Sequence, residues 1–416
     1  MWWISSFEPM MNGYVRFKRF GRTVTHARSV FAARNVGRYQ SSKTENSQDG
    51  NPLLKYLTMK IKATGPITVA EYMREVLTNP LKLIGIWCVS EWISGGKSKS
   101  LNLVELGPGR GSLMGDILRV FNQFQYLLNT CDISIHLVEV SPKLSEIQAL
   151  NLTKKSTEPK DEDTSSCYKI GITKTGLPIN WYYHIQDVPS GYTFYIAHEF
   201  FDALPIHKLQ KIQDEWREIL IDVDPEIPQK LRFVLGSSCS LIAKTFVQAD
   251  EKRNHVEVCP EAAIIIQKLA NQLKKYGGAA LIADYGHSGD KEDTFRGFRS
   301  HQLHNVLLDP GTADLTADVD FNFLKMMTGN SVSSFGPITQ HEFLRNMGIN
   351  LRLKVLMENA KDDTMQTHLM QSYDVLMNPD KMGKRFKFFS IFPCDRLEQT
   401  SKNKYPLAGF TELEMS

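Results

Sequence analysis

The stretch from Leu101 to Gly111, L-N-L-V-E-L-G-P-G-R-G, constrains the fold more than any other part of this chain, because it joins a buried strand, an acid and a glycine turn. Further along, Ile133 to Val140 (I-S-I-H-L-V-E-V) repeats the apolar strand and again ends beside a carboxylate, Glu139. Two such strands with a helix between them form the nucleotide-holding half of a doubly wound, Rossmann-like α/β sheet. Gly107 and Gly109 are expected to let the backbone turn sharply and approach a ligand, and Gly111 to keep the following helix tight against the strand.

Spacing narrows the ligand. A dinucleotide fingerprint requires glycines at 107, 109 and 112, but position 112 is Ser112 and the third glycine is Gly111. The turn also lacks the Lys and Ser/Thr of a phosphate-binding loop. Glu105 sits under the turn, where it can orient the backbone or accept a hydrogen bond from an ammonium group. The pattern E-x-G-x-G-x-G resembles the first motif of the S-adenosyl-L-methionine-dependent methyltransferases, in which the acid after the second strand holds both ribose hydroxyls. Glu139 takes that part here. Asp187, ahead of the strand that begins near Tyr192, is a candidate for the adenine end and equally a turn residue.

Charge is close to balanced at +3 over 416 residues but unevenly spread. Residues 1–42 carry Arg16, Lys18, Arg19, Arg22, Arg28, Arg34 and Arg38 against the single acid Glu8, which reads as a matrix-targeting presequence. Without it the chain is slightly acidic, so nothing electrostatic calls for nucleic acid. Cysteines 88, 131, 167, 239, 259 and 394 form no C-x-x-C pair, and no metal site is expected from His301 and His304. No run of eighteen apolar residues suggests a transmembrane segment.

The chain divides as 1–42 leader, 43–98 N-terminal helical cap, 99–286 cofactor-binding core, 287–396 C-terminal part with the substrate lobe, and 397–416 tail. Helices are expected over Leu53 to Ala63, Thr68 to Leu77, Ile84 to Ile93 and Gly111 to Phe124, and from Ser141-Pro142 through Leu152. Lys154 to Ser166 reads as solvated and unstructured, with a third strand near Tyr168 to Ile172. Tyr192 to Ala197 is a strand that delivers His198-Glu199-Phe200-Phe201-Asp202 to the ligand-binding edge. Glu215 to Val223 and Leu231 to Leu235 read as extended, Pro260 to Tyr276 as helix, and Gly278 to Ala283 as a strand ending at Asp284-Tyr285. Asp318 to Met327 and Gln340 to Met347 read as helices, and Phe386 to Ile391 as part of a last antiparallel pair.

Several blocks resemble one family in combination: Thr64 to Met73 (T-G-P-I-T-V-A-E-Y-M), the glycine turn, His198 to Pro205 (H-E-F-F-D-A-L-P), Asp284 to His287 (D-Y-G-H) and Asp314 to Phe321 (D-L-T-A-D-V-D-F). They are similar to the mitochondrial arginine methyltransferases that assist assembly of respiratory complex I. The resemblance covers roughly residues 51–396 and implies a class I methyltransferase sheet with added helical and C-terminal elements, and S-adenosyl-L-methionine as cofactor. It further implies action in the mitochondrial matrix, where an arginine of a core peripheral-arm subunit of complex I is symmetrically dimethylated.

The chain departs from that family after Leu77-Thr78-Asn79-Pro80. Family members continue there with a few dozen residues, including a Gly-Tyr-Tyr and a Gly-Asp-Phe-x-Thr-Ser-Pro-Glu-x-Ser stretch, before the equivalent of Leu83-Ile84-Gly85-Ile86-Trp87. Here only Leu81 and Lys82 intervene. The resemblance places that stretch in a cap over cofactor and substrate, so a catalytically impaired binding or assembly protein is the alternative reading.

A guanidinium is protonated at neutral pH and must be held by carboxylates and relieved of a proton near the moment of methyl transfer. Glu199 and Asp202, three apart past a strand end, suit that clamp if the chain turns helically there. The plainer alternative has Asp202 capping a short helix and Glu199 solvated. His198 is a candidate proton relay or a structural histidine. Arg296 is expected to pair with a substrate acid or a nearby carboxylate. Asp314, Asp318 and Asp320 form an acidic group suited to a basic target, with Asp318 also a possible helix cap.

Overall fold

The computed structural model describes residues 81–158, 166–300, 302–360, 362–396 and 407–410. The leader, the linker, the helices expected over Leu53 to Ala63 and Thr68 to Leu77, and most of the tail lie outside the described residues. The described part belongs to one compact unit.

In chain order the strands are β1 (Ser100–Leu106), β2 (Asp132–Val138), β3 (Thr153–Thr157), β4 (Lys169–Thr173), β5 (Pro178–Tyr182) and β6 (Thr193–His198), followed by β7 (His207–Ile212), β8 (Glu215–Val223), β9 (Leu231–Cys239) and β10 (His255–Val258). The last group is β11 (Gly278–His287), β12 (Arg296–Arg299), β13 (Gln302–His304), β14 (Asp314–Thr316), β15 (Val319–Asp320), β16 (Val332–Thr339) and β17 (Phe386–Pro393). The main sheet runs β16-β17-β11-β6-β1-β2-β5-β4-β3. Its middle strands β11, β6, β1, β2 and β5 are parallel. β17 is antiparallel to both β11 and β16, which supplies the expected antiparallel pair. Strand order reverses between β1 and β6, and in such sheets the crevice outside the carboxyl ends at that point is where ligands bind. The parallel strands are apolar runs because both faces are covered, as β11 illustrates from Ala279 to Asp284.

Helices cover those faces. The main ones are α1 (Leu81–Ser94), α2 (Ser112–Phe121), α3 (Pro142–Leu152), α4 (Pro260–Tyr276) and α5 (Phe321–Thr328). In α1 the Trp87 ring is fully buried, with centroids 5.9 Å from Phe194 and 6.5 Å from Phe392. α4 starts at Pro260 after the Cys259 cap and stops at Gly277, whose φ of 80° a side chain would resist.

Four expectations need correction. The third parallel strand is β5, where Ile179 and Trp181 are fully buried. Tyr168 to Ile172 contributes instead to β4, an antiparallel strand near the sheet edge whose Ile170 and Ile172 face outward. Lys154 to Thr157, the start of the Lys154 to Ser166 run expected as solvated chain, belongs to the edge strand β3, whose lysines suit an edge. β11 does not end at Ala283 but continues to His287. Asp318 is not a helix cap: Asp320 caps α5, its carboxylate accepting from the Asn322 and Phe323 N–H groups. β8 and β9 join β7 and β10, neither expected, in a separate four-stranded sheet, β10-β7-β8-β9, that follows directly on the β6 loop.

Candidate active site

The turn after β1 uses all three glycines in left-handed backbone, with φ of 60° at Gly107, 55° at Gly109 and 78° at Gly111. A Cβ on Gly107 would stand 2.7 Å from the Phe200 ring, and one on Gly111 would stand 3.0 Å from Leu152 of α3. Gly111 therefore does hold the following helix close, whereas Gly107 makes room for the loop after β6. Glu105 lies under the turn and is buried; one carboxylate oxygen, Oε2, has no partner. Burial pushes its carboxyl well above the usual range, against the Met114 N–H that it accepts, and the charge of Glu139 adds to the rise.

Glu139 stands one residue beyond β2, also buried. Its Oε1 accepts from the Ser141 N–H at 2.8 Å and its Oε2 from Gln148 Nε2 at 2.9 Å. Burial raises its carboxyl and these donors oppose the rise. The Val140 N–H is a third donor, so of about four acceptor positions on the carboxylate three serve the protein and one remains for a ligand hydroxyl.

Across the switch point, the loop after β6 holds the second group. Glu199 is buried, with φ of 50°, a conformation that costs a non-glycine residue about 1–3 kcal/mol and persists where the surroundings impose it. Here its N–H is pinned to the Ala283 carbonyl at 3.0 Å. The residues that follow do not form the helical turn expected from the Glu199 to Asp202 spacing. They wrap around Asp284 of β11 instead, whose Oδ2 accepts from the Phe200, Phe201 and Asp202 N–H groups at 3.1, 2.9 and 3.3 Å, while Oδ1 accepts from Tyr285 at 2.9 Å. Asp202 caps no helix: its Oδ2 accepts from Thr316 Oγ1 at 2.8 Å and its buried Oδ1 has no partner.

Glu199, Asp202 and Asp284 are close enough for their charges to act on one another. Burial first, then the charges of Asp202 and Glu199, push the Asp284 carboxyl well above the usual range. The same carboxylates, after burial, raise the Tyr285 phenol. His198 is pushed down to about 3 by burial, so the ring is neutral at neutral pH, and its Nδ1 has no partner.

The remaining candidates divide. Asp187 follows β5 in a single 3-10 turn (Ile185–Asp187), at the carboxyl edge of the sheet with Glu139 and the glycine turn. Arg296 is taken up by Asp318 at 2.6 Å, so it pairs with a nearby carboxylate. Asp318 also receives Lys291, and Asp320 receives Arg253 at 2.9 Å, so neither forms an open acidic surface. Asp314 is exposed on β14. Sequence reasoning missed Gln148 as a ligand of Glu139, Asp284 as the anchor of the loop and Thr316 as the partner of Asp202. No local signal marks them: Asp284 and Thr316 act on residues distant in the chain, and Gln148 reaches Glu139 only because α3 folds back over β2.

Two clefts lie elsewhere. One of about 340 Å³ is lined by Phe246, Arg253, Val256, Phe323 and Met326 beside the four-stranded sheet, and its arginine is already held by Glu251 and Asp320. The other, about 220 Å³, lies at the amino ends of β6 and β11 beside Glu91 and Arg396. The candidate site residues sit at the opposite edge. There the orphaned Glu105 oxygen, the left-handed glycine turn and the remaining acceptor position of the Glu139 carboxylate fit a nucleoside bearing a cationic group.

Comparison with known proteins agrees. A family described as S-adenosyl-L-methionine-dependent methyltransferase matches residues 83–338. The mitochondrial protein arginine methyltransferase NDUFAF7 of Xenopus laevis is 60% identical over 437 residues, covering 98% of this chain and 100% of the relative. The protein of that name from Homo sapiens is 52% identical over 91% of this chain and 94% of its own length. The frog match spans 437 residues while this chain holds 416, so the relative carries residues with no counterpart here. A solved structure from Burkholderia thailandensis bound to S-adenosyl-homocysteine shares the fold, with a TM-score of 0.58 at 17% identity over 82% of this chain and 92% of that one.

Proposed function

This chain belongs to the family of S-adenosyl-L-methionine-dependent methyltransferases that includes the mitochondrial protein arginine methyltransferases, and from that premise we propose that it methylates arginine in a protein substrate. The observation that carries the reading is the pairing, across one switch point, of the glycine turn and Glu139 with the loop that holds Glu199 and Asp202 against Asp284. S-adenosyl-L-methionine supplies an activated methyl group on a sulfonium. Glu105, Gly107, Gly109, Gly111, Glu139 and Asp187 hold it. Glu199 and Asp202 would bind the guanidinium through charge-assisted hydrogen bonds and orient it for methyl transfer. The proton lost by the guanidinium as the N–C bond forms and the methyl–sulfur bond breaks would pass to this carboxylate group; the burial that holds His198 neutral makes its ring the weaker acceptor.

The same reading places the protein in the mitochondrial matrix, with a core peripheral-arm subunit of respiratory complex I as substrate and symmetric ω-N dimethylarginine as product. Methyl transfer to that recombinant subunit, read by mass spectrometry, tests it. Asp202→Ala is expected to lower the rate about a hundredfold or more with cofactor affinity within about twofold, the signature of lost alignment. An unchanged rate removes Asp202 from the mechanism.

A second reading, a catalytically impaired binding or assembly protein, is favoured by the residues of the frog relative that have no counterpart here and by the abrupt junction Pro80-Leu81-Lys82-Leu83.

A further inference from the structure

Gln148 lies in the middle of α3, fully buried, and no part of its amide is left over. Its Nε2 donates to the Gly109 carbonyl at 2.7 Å and to Glu139 Oε2 at 2.9 Å, while its Oε1 accepts from Trp181 Nε1 of β5 at 2.9 Å. The orientation has one solution. The indole N–H can only donate, so the amide oxygen must face Trp181, and both amide protons must face the two acceptors. One side chain therefore joins the turn after β1, the acid after β2 and the strand β5. Asn151, one turn further along α3, adds a bond from Nδ2 to the Arg110 carbonyl at 3.0 Å.

We propose that Gln148 is a positioning residue for the methyl donor: it fixes the Glu139 carboxylate relative to the glycine turn and so sets the spacing between ribose and sulfonium ends of the cofactor site. The inference rests on the assignment of Glu139 to the ribose. Without Gln148, Glu139 keeps only the backbone N–H groups of Val140 and Ser141, both next to it in the chain, and loses its one tie to α3, while the Gly109 carbonyl loses its buried partner. The cost then falls on cofactor binding, because the carboxylate must be reoriented each time a ligand enters.

Gln148→Glu tests this at nearly constant shape. At pH 8 a carboxylate at 148 faces both Glu139 and the Gly109 carbonyl, acceptor against acceptor, and affinity for S-adenosyl-homocysteine measured by calorimetry is expected to fall tenfold or more. At pH 5.5 a proton shared between the two carboxyls restores a donor, and most of the affinity returns. The other groups facing this pair are Glu105 from β1, Tyr168, whose hydroxyl donates to the Glu139 carbonyl, and Lys169 from β4, 5.9 Å over the Trp181 ring. All are present in both proteins, so the wild-type pH profile corrects for them. Trp181→Phe, which removes the indole donor to the amide oxygen along with some buried volume, is expected to lose about threefold without the pH-dependent recovery. It also keeps the test open should Gln148→Glu fail to fold, and wild-type affinity in Trp181→Phe then overturns the proposal. A Gln148→Glu protein that folds and binds within twofold of wild type at pH 8, or whose deficit is the same at both pH values, equally overturns it. If the wild-type chain binds no S-adenosyl-homocysteine, the assignment of the cofactor site itself is what fails.

Discussion

Single residues at this site are defined by what is denied to them. Asp284 is fully buried yet surrounded by backbone N–H groups, so its carboxylate shapes the loop, while the half-buried Asp202 keeps one oxygen, Oδ1, without a partner. His198 and His136 are the opposite case, rings that burial keeps neutral. His136 is pushed down to about 4 while lying between Ser134 Oγ at 2.8 Å and the Tyr182 hydroxyl at 3.1 Å. Both native values, about 4 and about 3, lie below the ordinary 6.5, so the unfolded chain binds more protons than the native one. Their contribution to stability is complete above about pH 6.5 and is lost as pH falls toward 4 and then 3. Urea unfolding between pH 7 and 4 is expected to show this loss with a shallower slope in His136→Asn/His198→Asn. Parallel slopes would show that the rings are accessible to protons in the folded state.

At the scale of elements, α1 carries the largest buried charge pair. Glu91 and Arg396 meet at 2.9 Å, both nearly inaccessible, and Arg396 also donates to the Ser94 carbonyl while Glu91 accepts from the Ala408 N–H. This ties the helix that follows the junction to the chain after β17. Removing one partner of a buried pair strands the other, at a cost of about 3–5 kcal/mol, whereas replacing both with apolar side chains is often close to neutral. Arg396→Met is expected to destabilise by that amount in urea unfolding, and Glu91→Met/Arg396→Met to recover most of it. If the single variant loses under 1 kcal/mol, the pair does not anchor α1.

For the molecule as a whole, the resemblance implies a segment between Pro80 and Leu83 where this chain has only Leu81 and Lys82. The β1 turn, Glu139 and the Asp284 loop are all formed in this chain, which lacks the segment that the family resemblance implies there. Methyl transfer depends further on excluding water and on alignment, where an error of about 1 Å costs about a hundredfold in rate. Inserting the frog relative's segment between Pro80 and Leu83 is therefore expected to raise the methylation rate by about a hundredfold or more, with a smaller gain in affinity for S-adenosyl-homocysteine. Equal rates with and without the insertion would refute the cap.

Sequence alone determined whatever depends on neighbours in the chain. The glycine turn between apolar strands, the Ser141-Pro142 start of α3 and the Pro260 to Gly277 limits of α4 follow from local periodicity and backbone preference. Glu105 and Glu139 were legible because strand ends point at the ligand edge. Tertiary structure decided which of two short extended runs, β4 or β5, became the parallel strand, since both are brief and only burial on two faces separates them. It also decided what Glu199 and Asp202 do. Their spacing suggests a helical turn, but Asp284, some eighty residues later, captures three N–H groups of that loop, and Thr316 captures Asp202. A buried carboxylate must find donors wherever the fold supplies them, and no local pattern records which distant backbone those will be.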